Sequence, residues 1–412
     1  MQESQEPIFI HSLFRSGSTW IFDRFRRAGT NYWCYQEPFN EILSQLKDSP
    51  ETVLEIHEST SSVLRHTKLD KPYFYEFHTI REHIGDSFQK CISYDSFFDT
   101  TICSQFDEYT DILICHARGR PVLQCCRSFG RLPHLKRKFG GVHIYLWRNP
   151  WDQWWSYQVN GYFDTVNLAI INAINPPPII ALLRSELCLE EVRNSRFDQE
   201  FQCFQQVALD AKSRYLIFYV LWFYSLIENK QLSDFDINID RLSVDPDYLQ
   251  SISDVLLGFG IHGVDLSDCH IPMAVYTEED RAFFEPIEDL AHQLFARVYD
   301  SGTLSQALHW QHEYRPKGIV EEGKLIRDAS KARMVALRFA DTASQVNKRA
   351  NHQEAGAVYN LTSCREALLR AEQVSSFAVD CNDELYRVYQ SNSWKITKPL
   401  RWINRKLRGL GR

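Results

Sequence analysis

The 412-residue chain is 44 % hydrophobic and 24 % charged, apolar enough for a packed core and too balanced for wholesale disorder. Its 15 prolines and 17 glycines exclude collagen-like and low-complexity architectures. The net charge of −7 hides an asymmetry: residues 393–412 hold seven basic residues and no acid, leaving −14 on residues 1–392, which argues against nucleic-acid binding through a broad basic face.

In chain order, residues 7–14 (PIFIHSLF) are apolar and β-branched enough for a short buried strand. A polar loop, Arg15-Ser16-Gly17-Ser18-Thr19, leads into a helical stretch (WIFDRFRRAG) that ends at Gly29, a C′ residue. Asn31–Tyr35 reads as a second strand running into Gln36-Glu37-Pro38. This strand–loop–helix–strand order predicts an α/β domain with a mainly parallel sheet. Asp111–Cys115 and Val122–Cys126 read as strands or strand ends, and Val142–Trp147 is the strongest strand pattern of the chain. Arg148-Asn149-Pro150 closes it: Asn149 caps the next helix, Pro150 suits its first position, and Asp152 sits at its third facing the helix dipole. That helix is expected to reach about Asn160.

A proline triplet at 176–178 interrupts the helical region that follows, and residues 179–230 read as helical again. Within them the longest apolar run, Tyr215–Ile227, falls short of the roughly 20 residues of a bilayer span and reads as a buried core helix. Phe235–Leu242 reads as a further strand, and Asp245-Pro246 opens a helix through Leu257. Past about residue 310 the texture changes. No proline separates Pro316 from Pro399, and Ala357, Leu361, Cys364, Leu368, Ala371, Ala378 and Leu385 keep 3/4 spacing. A long amphipathic helix, helical hairpin or coiled coil is expected there, weakened by Ser375 and Asn382 in its seam. The expected division is residues 1–310, a helical extension over 311–392, and a basic amphipathic tail over 393–412.

The chain begins MQESQEP, without a basic stretch and apolar run, so no secretory signal is expected. Eleven cysteines with no CxxC and one adjacent pair, Cys125–Cys126, predict reduced, buried thiols of a cytosolic protein rather than a zinc site or disulfide framework. No metal site is proposed.

The Arg15–Thr19 loop, between a strand and a helix start, makes an anion site: successive backbone N–H groups and the positive helix end converge there. Gly17 permits close backbone approach, the hydroxyls donate, and Arg15 supplies a planar, delocalised charge. A plain polar turn is the alternative. The loop is not a Walker A loop, which is longer and ends in Lys. Arg148 at a second strand end, with Ser156 two helical turns on, could embrace a second phosphate. Two phosphate sites at two strand ends suit a nucleotide phosphorylated at both its 5′ and 3′ positions.

FRSGSTW at 14–20 and YLWRNPWDQWWSY at 145–157 closely resemble the two cofactor motifs of sulfotransferases that use 3′-phosphoadenosine-5′-phosphosulfate (PAPS). Residues 235–261 also look like that family's late strand and helix, so the resemblance spans about 7–300. It implies a P-loop-NTPase-like, three-layer α/β domain, which the helical extension read above would follow. It also implies PAPS as co-substrate, with no metal. Ser16, Gly17, Ser18 and Thr19 would form the 5′-phosphosulfate cradle, and Arg15 would contact the transferring group and leaving phosphate. Trp20 would stack on adenine, while Arg148 and Ser156 would hold the 3′-phosphate. The family's catalytic His is missing from Cys125–Gly130. Glu37 in QEPF instead matches the position where carbohydrate and tyrosylprotein sulfotransferases place a catalytic Glu, the alternative being a solvated strand-end acid. Arg127 and Arg131 are read either as lining the site or as surface residues. Trp151, Trp154 and Trp155 share one helix face, read as core packing before sugar stacking. His11 is read as a buried strand histidine before a site residue.

Leu400, Ile403, Leu407 and Leu410 recur among the basic residues of the tail, as in a helix lying on an anionic membrane, with a disordered basic terminus as the alternative. SNSWKITKPLRWINRKLR resembles a tail found on bacterial enzymes of surface-polysaccharide assembly, which implies a carbohydrate acceptor at the inner membrane face. The expectation is therefore a cytoplasmic sulfotransferase of a cell-surface polysaccharide or its lipid-linked precursor, touching the membrane peripherally, binding no nucleic acid, and able to self-associate through its helical extension. Two rivals stand beside it. A P-loop kinase would need a loop Lys. A non-catalytic scaffold would use the long helix to recruit partners.

Overall fold

The computed structural model describes residues 6–314, apart from 56–68, 85–86, 100–101, 159–160, 195 and 272–275, together with residue 335. The chain divides into two compact units, residues 1–271 with 286–315, and residues 272–285 with 316–412. In the second, the described stretch opens a helix whose start is closed by Asp280, its carboxylate accepting from the Thr277 N–H at 2.9 Å. The expected helical extension and basic tail lie outside the described residues, save for 311–314 and residue 335.

The first unit is built on a five-stranded sheet of β1 (Ile8–Ser12), β2 (Tyr32–Gln36), β3 (Arg120–Cys125), β4 (Val142–Trp147) and β5 (Phe235–Asn238), in the order β2-β3-β1-β4-β5. Every pairing is parallel, with Ile8 opposite both Val122 and Val142, Tyr32 opposite Arg120 and Ile144 opposite Phe235. Parallel strands need crossover helices, which cover both faces, so β1, β3 and β4 are buried along their whole length. Alternation sorts the side chains. Ile8, Ile10, Val122, Ile144 and Leu146 pack with Ile21, Phe22 and Phe25 of α1 (Ser18–Arg27) on one face. Phe9, Leu123 and Cys125 pack on the other with Phe106, Tyr109 and Leu113 of α2 (Ser104–Cys115) and Leu135 of α3 (Leu132–Phe139). Three layers result.

Asp111–Cys115 is a correction: it is the last turn of α2 rather than a strand. A five-residue apolar run cannot distinguish the two, but Phe106, Tyr109, Thr110 and Leu113 bury one helical face. After β4, α4 (Pro150–Tyr157) starts as expected, the Asn149 carboxamide accepting from the Trp151 N–H at 2.8 Å. α5 (Tyr162–Ile171) follows, and residues 179–230 break into α6 (Pro178–Glu186), α7 (Phe197–Gln206) and α8 (Ala211–Leu232). Tyr215–Ile227 is buried throughout within α8, and no helix among the described residues is long and apolar enough to cross a membrane. Phe235–Leu242 is strand only to Asn238, whose side chain accepts from the Arg241 N–H at 2.8 Å and turns the chain into a single helical turn. α9 (Pro246–Gly258) then runs as read.

The cysteines differ from expectation. Cys91, on a one-turn π-helix, is disulfide-bonded to Cys103 ahead of α2, and Cys115, Cys188 and Cys203 are exposed free thiols. Sequence spacing carries no information about which thiols the tertiary fold brings together. Trp151 and Trp154 are core residues, and His11 is a fully buried strand residue.

Candidate functional site

In this sheet β1 and β4 are neighbours whose following segments depart to opposite sides, β1 toward β2 and β4 toward β5. The carboxyl ends of strands at such a reversal are where open α/β sheets receive ligands. Both sequence motifs lie there. Arg15–Thr19 joins β1 to α1, and Arg148 follows β4 directly.

The loop is backbone-strained. Arg15 has φ 63° and Gly17 φ 87°, both left-handed, a conformation that costs an L-residue roughly 1–2 kcal/mol. A Cβ on Gly17 would stand 2.4 Å from the Ile239 Cδ1 methyl, which would have to turn aside, so it is the left-handed φ that calls for glycine here. Gly17 N-caps α1 with no side-chain cap, and the Trp20 and Ile21 N–H groups already bond its carbonyl at 3.0 and 3.1 Å. The first-turn N–H groups before them face the loop, as in an anion cradle. Ser16 is fully buried and its hydroxyl donates to the Leu13 carbonyl at 2.7 Å, so that side chain shapes the loop. Ser18 and Thr19 are buried in the first turn, the Ser18 hydroxyl accepting from the Cys126 thiol at 3.4 Å. Burial pushes that thiol well above its usual range, keeping it neutral. Trp20 is half-buried, its indole N–H donating to Asp268 at 3.3 Å, where Arg24 also binds.

The structure brings Arg15 and Ser156 together: the guanidinium Nε donates to the Ser156 hydroxyl at 2.9 Å. The same guanidinium lies over the Phe163 ring, 5.6 Å from its centroid. Ser156 was expected beside Arg148 at a 3′-phosphate; Arg148 is buried, its Nε 3.4 Å from Asp240 Oδ1. Asp240 also accepts from the Asn149 N–H at 2.5 Å; burial pushes its carboxyl up, against the pull of Arg148 and that N–H.

Glu37 follows β2 and is no solvated acid. It is buried, with φ 50°, and its own N–H donates to the Gln124 carbonyl at 2.7 Å. One carboxylate oxygen accepts from the Cys126 N–H at 3.0 Å, the other from Arg127 Nη1 at 2.6 Å. A carboxylate oxygen has two acceptor sites, so each retains one. Arg127 is 1 % exposed, which removes its surface reading. It donates on to Glu41 at 2.9 Å, to the Tyr94 hydroxyl at 2.9 Å and to the Tyr162 hydroxyl at 2.7 Å, and both tyrosines donate to Glu41. Burial alone would lower Arg127, but Glu41, Tyr162, Tyr94 and Glu37 hold it well above its usual range. Arg131 is also buried and is structural: it ties the Ser93 and Ser96 carbonyls at 2.9 and 2.6 Å, and burial lowers it to about 9.

Sequence reading missed Glu41, Tyr94, Tyr162 and Asp240. Glu41 had a signal, since Asn40 caps a one-turn helix that begins four residues after Glu37. The two tyrosines had none, because they arrive from separate segments of the chain. Among the described residues no group of three or more His, Cys, Asp or Glu side chains is placed to hold a metal ion. The chain matches no family model, no curated protein and no solved structure.

Proposed function

We propose that this protein is a PAPS-dependent sulfotransferase of the P-loop-NTPase-like fold, moving a sulfuryl group to a hydroxyl of a carbohydrate. The observation that carries this reading is the Arg15–Ser156 hydrogen bond, which unites two motifs 141 residues apart at the ends of adjacent parallel strands. The left-handed Gly17 at the start of α1 suits an anion approached by backbone N–H groups. The left-handed conformations at Arg15 and Glu37 support it further, because such strain persists where surrounding structure enforces it and clusters at active sites.

In the proposed reaction the acceptor oxygen forms a bond to sulfur while the sulfur–oxygen bond to the 5′-phosphate breaks, leaving the 3′,5′-bisphosphate. Glu37 takes the acceptor's proton on a free lone pair. Arg15 offsets charge growing on the bridging oxygen, and the loop N–H groups hold the phosphate. Arg148 faces the 3′-phosphate and Trp20 the adenine. A carbohydrate acceptor, a cytoplasmic site and a peripheral membrane contact rest on the resemblance of residues 391–408 to polysaccharide-assembly enzymes.

The test is calorimetric titration with 3′-phosphoadenosine-5′-phosphate, ATP and 5′-AMP. The bisphosphate is expected to bind best, and Arg148→Ala to weaken it. Because that change strands Asp240, Arg148→Ala/Asp240→Asn controls for misfolding. Stronger ATP binding, or no binding, overturns the proposal.

A further inference from the structure

The Tyr157 side chain, at the end of α4, is 1 % exposed, yet its hydroxyl has no hydrogen-bond partner among the described residues. A buried phenol left without a partner costs stability, so its retention calls for a physical reason. Two other buried tyrosines, Tyr35 and Tyr109, share this state, but both sit in the apolar core on the α2 side of the sheet. Tyr157 does not. It follows Ser156, the residue that Arg15 binds. Its ring packs on Phe163 with centroids 5.1 Å apart, and Phe163 is the ring beneath the Arg15 guanidinium. Phe218 also packs on it, edge-on with centroids 4.8 Å apart, so two aromatics hold the ring. Beside burial, the largest influence, Cys126 and Asp164 push the phenol's pKa up and Arg15 pulls it down. Cys126 in turn touches Ser18 of the loop through its thiol and Glu37 through its N–H.

We infer that the Tyr157 hydroxyl is an anion-binding donor of this site, waiting for a sulfate or phosphate oxygen held by Arg15 and the Ser18 end of the loop. This rests on the proposed reading of the loop as the phosphosulfate cradle. Burial pushes the phenol far above its usual range, so it stays a neutral donor at any working pH. The donor is rigid, and it meets its acceptor only when the ligand arrives. Its hydrogen bond therefore adds to binding without first breaking one to protein.

Tyr157→Phe removes only the hydroxyl and keeps the ring against both aromatics. In the unliganded protein the variant should melt at or slightly above the wild-type temperature. Titrated with 3′-phosphoadenosine-5′-phosphate, it should bind roughly tenfold to a hundredfold more weakly, the range for a hydrogen bond to a charged group. Tyr109→Phe, which removes an equally orphaned hydroxyl from the far core, should leave that affinity unchanged. Equal affinity for wild type and Tyr157→Phe overturns the inference, as does an equal loss in Tyr109→Phe. Failure of the wild type to bind the nucleotide is a different result: it removes the functional reading itself.

Discussion

Two regions at the carboxyl ends of the sheet treat charge in opposite ways. Beyond β2 and β3, Glu37, Arg127, Glu41, Tyr94 and Tyr162 form a closed system in which the buried cation faces two carboxylates and two hydroxyls. Beyond β1 and β4, Arg15 donates to a neutral serine, the loop hydroxyls cluster at a helix start, and Tyr157 keeps an unused donor. In the first region the cation is surrounded by acceptors, and Arg127, Glu41 and the two tyrosines hold geometry around Glu37. The second gathers a helix start, hydroxyls and the Tyr157 donor around Arg15, groups suited to an anion. Glu37 belongs to both, since its N–H neighbour Cys126 also touches the loop.

Breaking the closed system should have the largest effect. Arg127→Met leaves Glu37 and Glu41 buried without their cation, and removal of one partner from a buried pair costs about 3–5 kcal/mol. Chemical denaturation should show that loss at neutral pH and a smaller gap from wild type as acid neutralises the carboxylates. An unchanged midpoint would mean that the network is not closed.

Acid probes the adjoining core. His143 donates through Nε2 to the Gly140 carbonyl at 3.0 Å, so its Nδ1 accepts from His11 Nε2 at 3.0 Å. Burial lowers His143 to about 4, and lowers His11 well below its usual range. A histidine depressed on folding binds its proton more readily when unfolded, so its contribution is complete above the ordinary pKa of 6.5. That contribution falls as pH drops from about 6.5 to about 4, by about 3 kcal/mol for His143. Melts across that window should fall with pH in wild type and less in His143→Gln.

The open region should respond in binding more than in stability. Gly17→Ala imposes about 1–2 kcal/mol of left-handed strain, and its methyl group invades the space beside Ile239. The expected readout is a melting point lowered by a few degrees with nucleotide affinity reduced more than tenfold. Ser156→Ala is the mildest change. Losing one hydrogen bond to Arg15 should weaken the bisphosphate by a few-fold and leave the melt within about a degree. If Ser156→Ala instead destabilised the protein as much as Arg127→Met, the contrast between the two regions would collapse.

Local signals in the chain specified β1, α1, β2, β4 and the start of α4. Each rests on contacts within a few residues: the Asn149 cap, Pro150 at the first helical position, and Gly29 with φ 98° after α1. The polar loop and Glu37 were legible for the same reason, as short segments at strand ends. Asp111–Cys115 misled because its apolar run was shorter than a helical period can mark. Which residues meet was decided by the fold alone. Strand order set Arg15 beside Ser156 and Arg148 beside Asp240, and drew Tyr94 and Tyr162 onto Arg127. The Cys91–Cys103 bridge and the orphaned Tyr157 hydroxyl are of the same kind. Composition and spacing encode the local conformation of a segment, but burial and partnership arise only when segments far apart in the chain exclude water together.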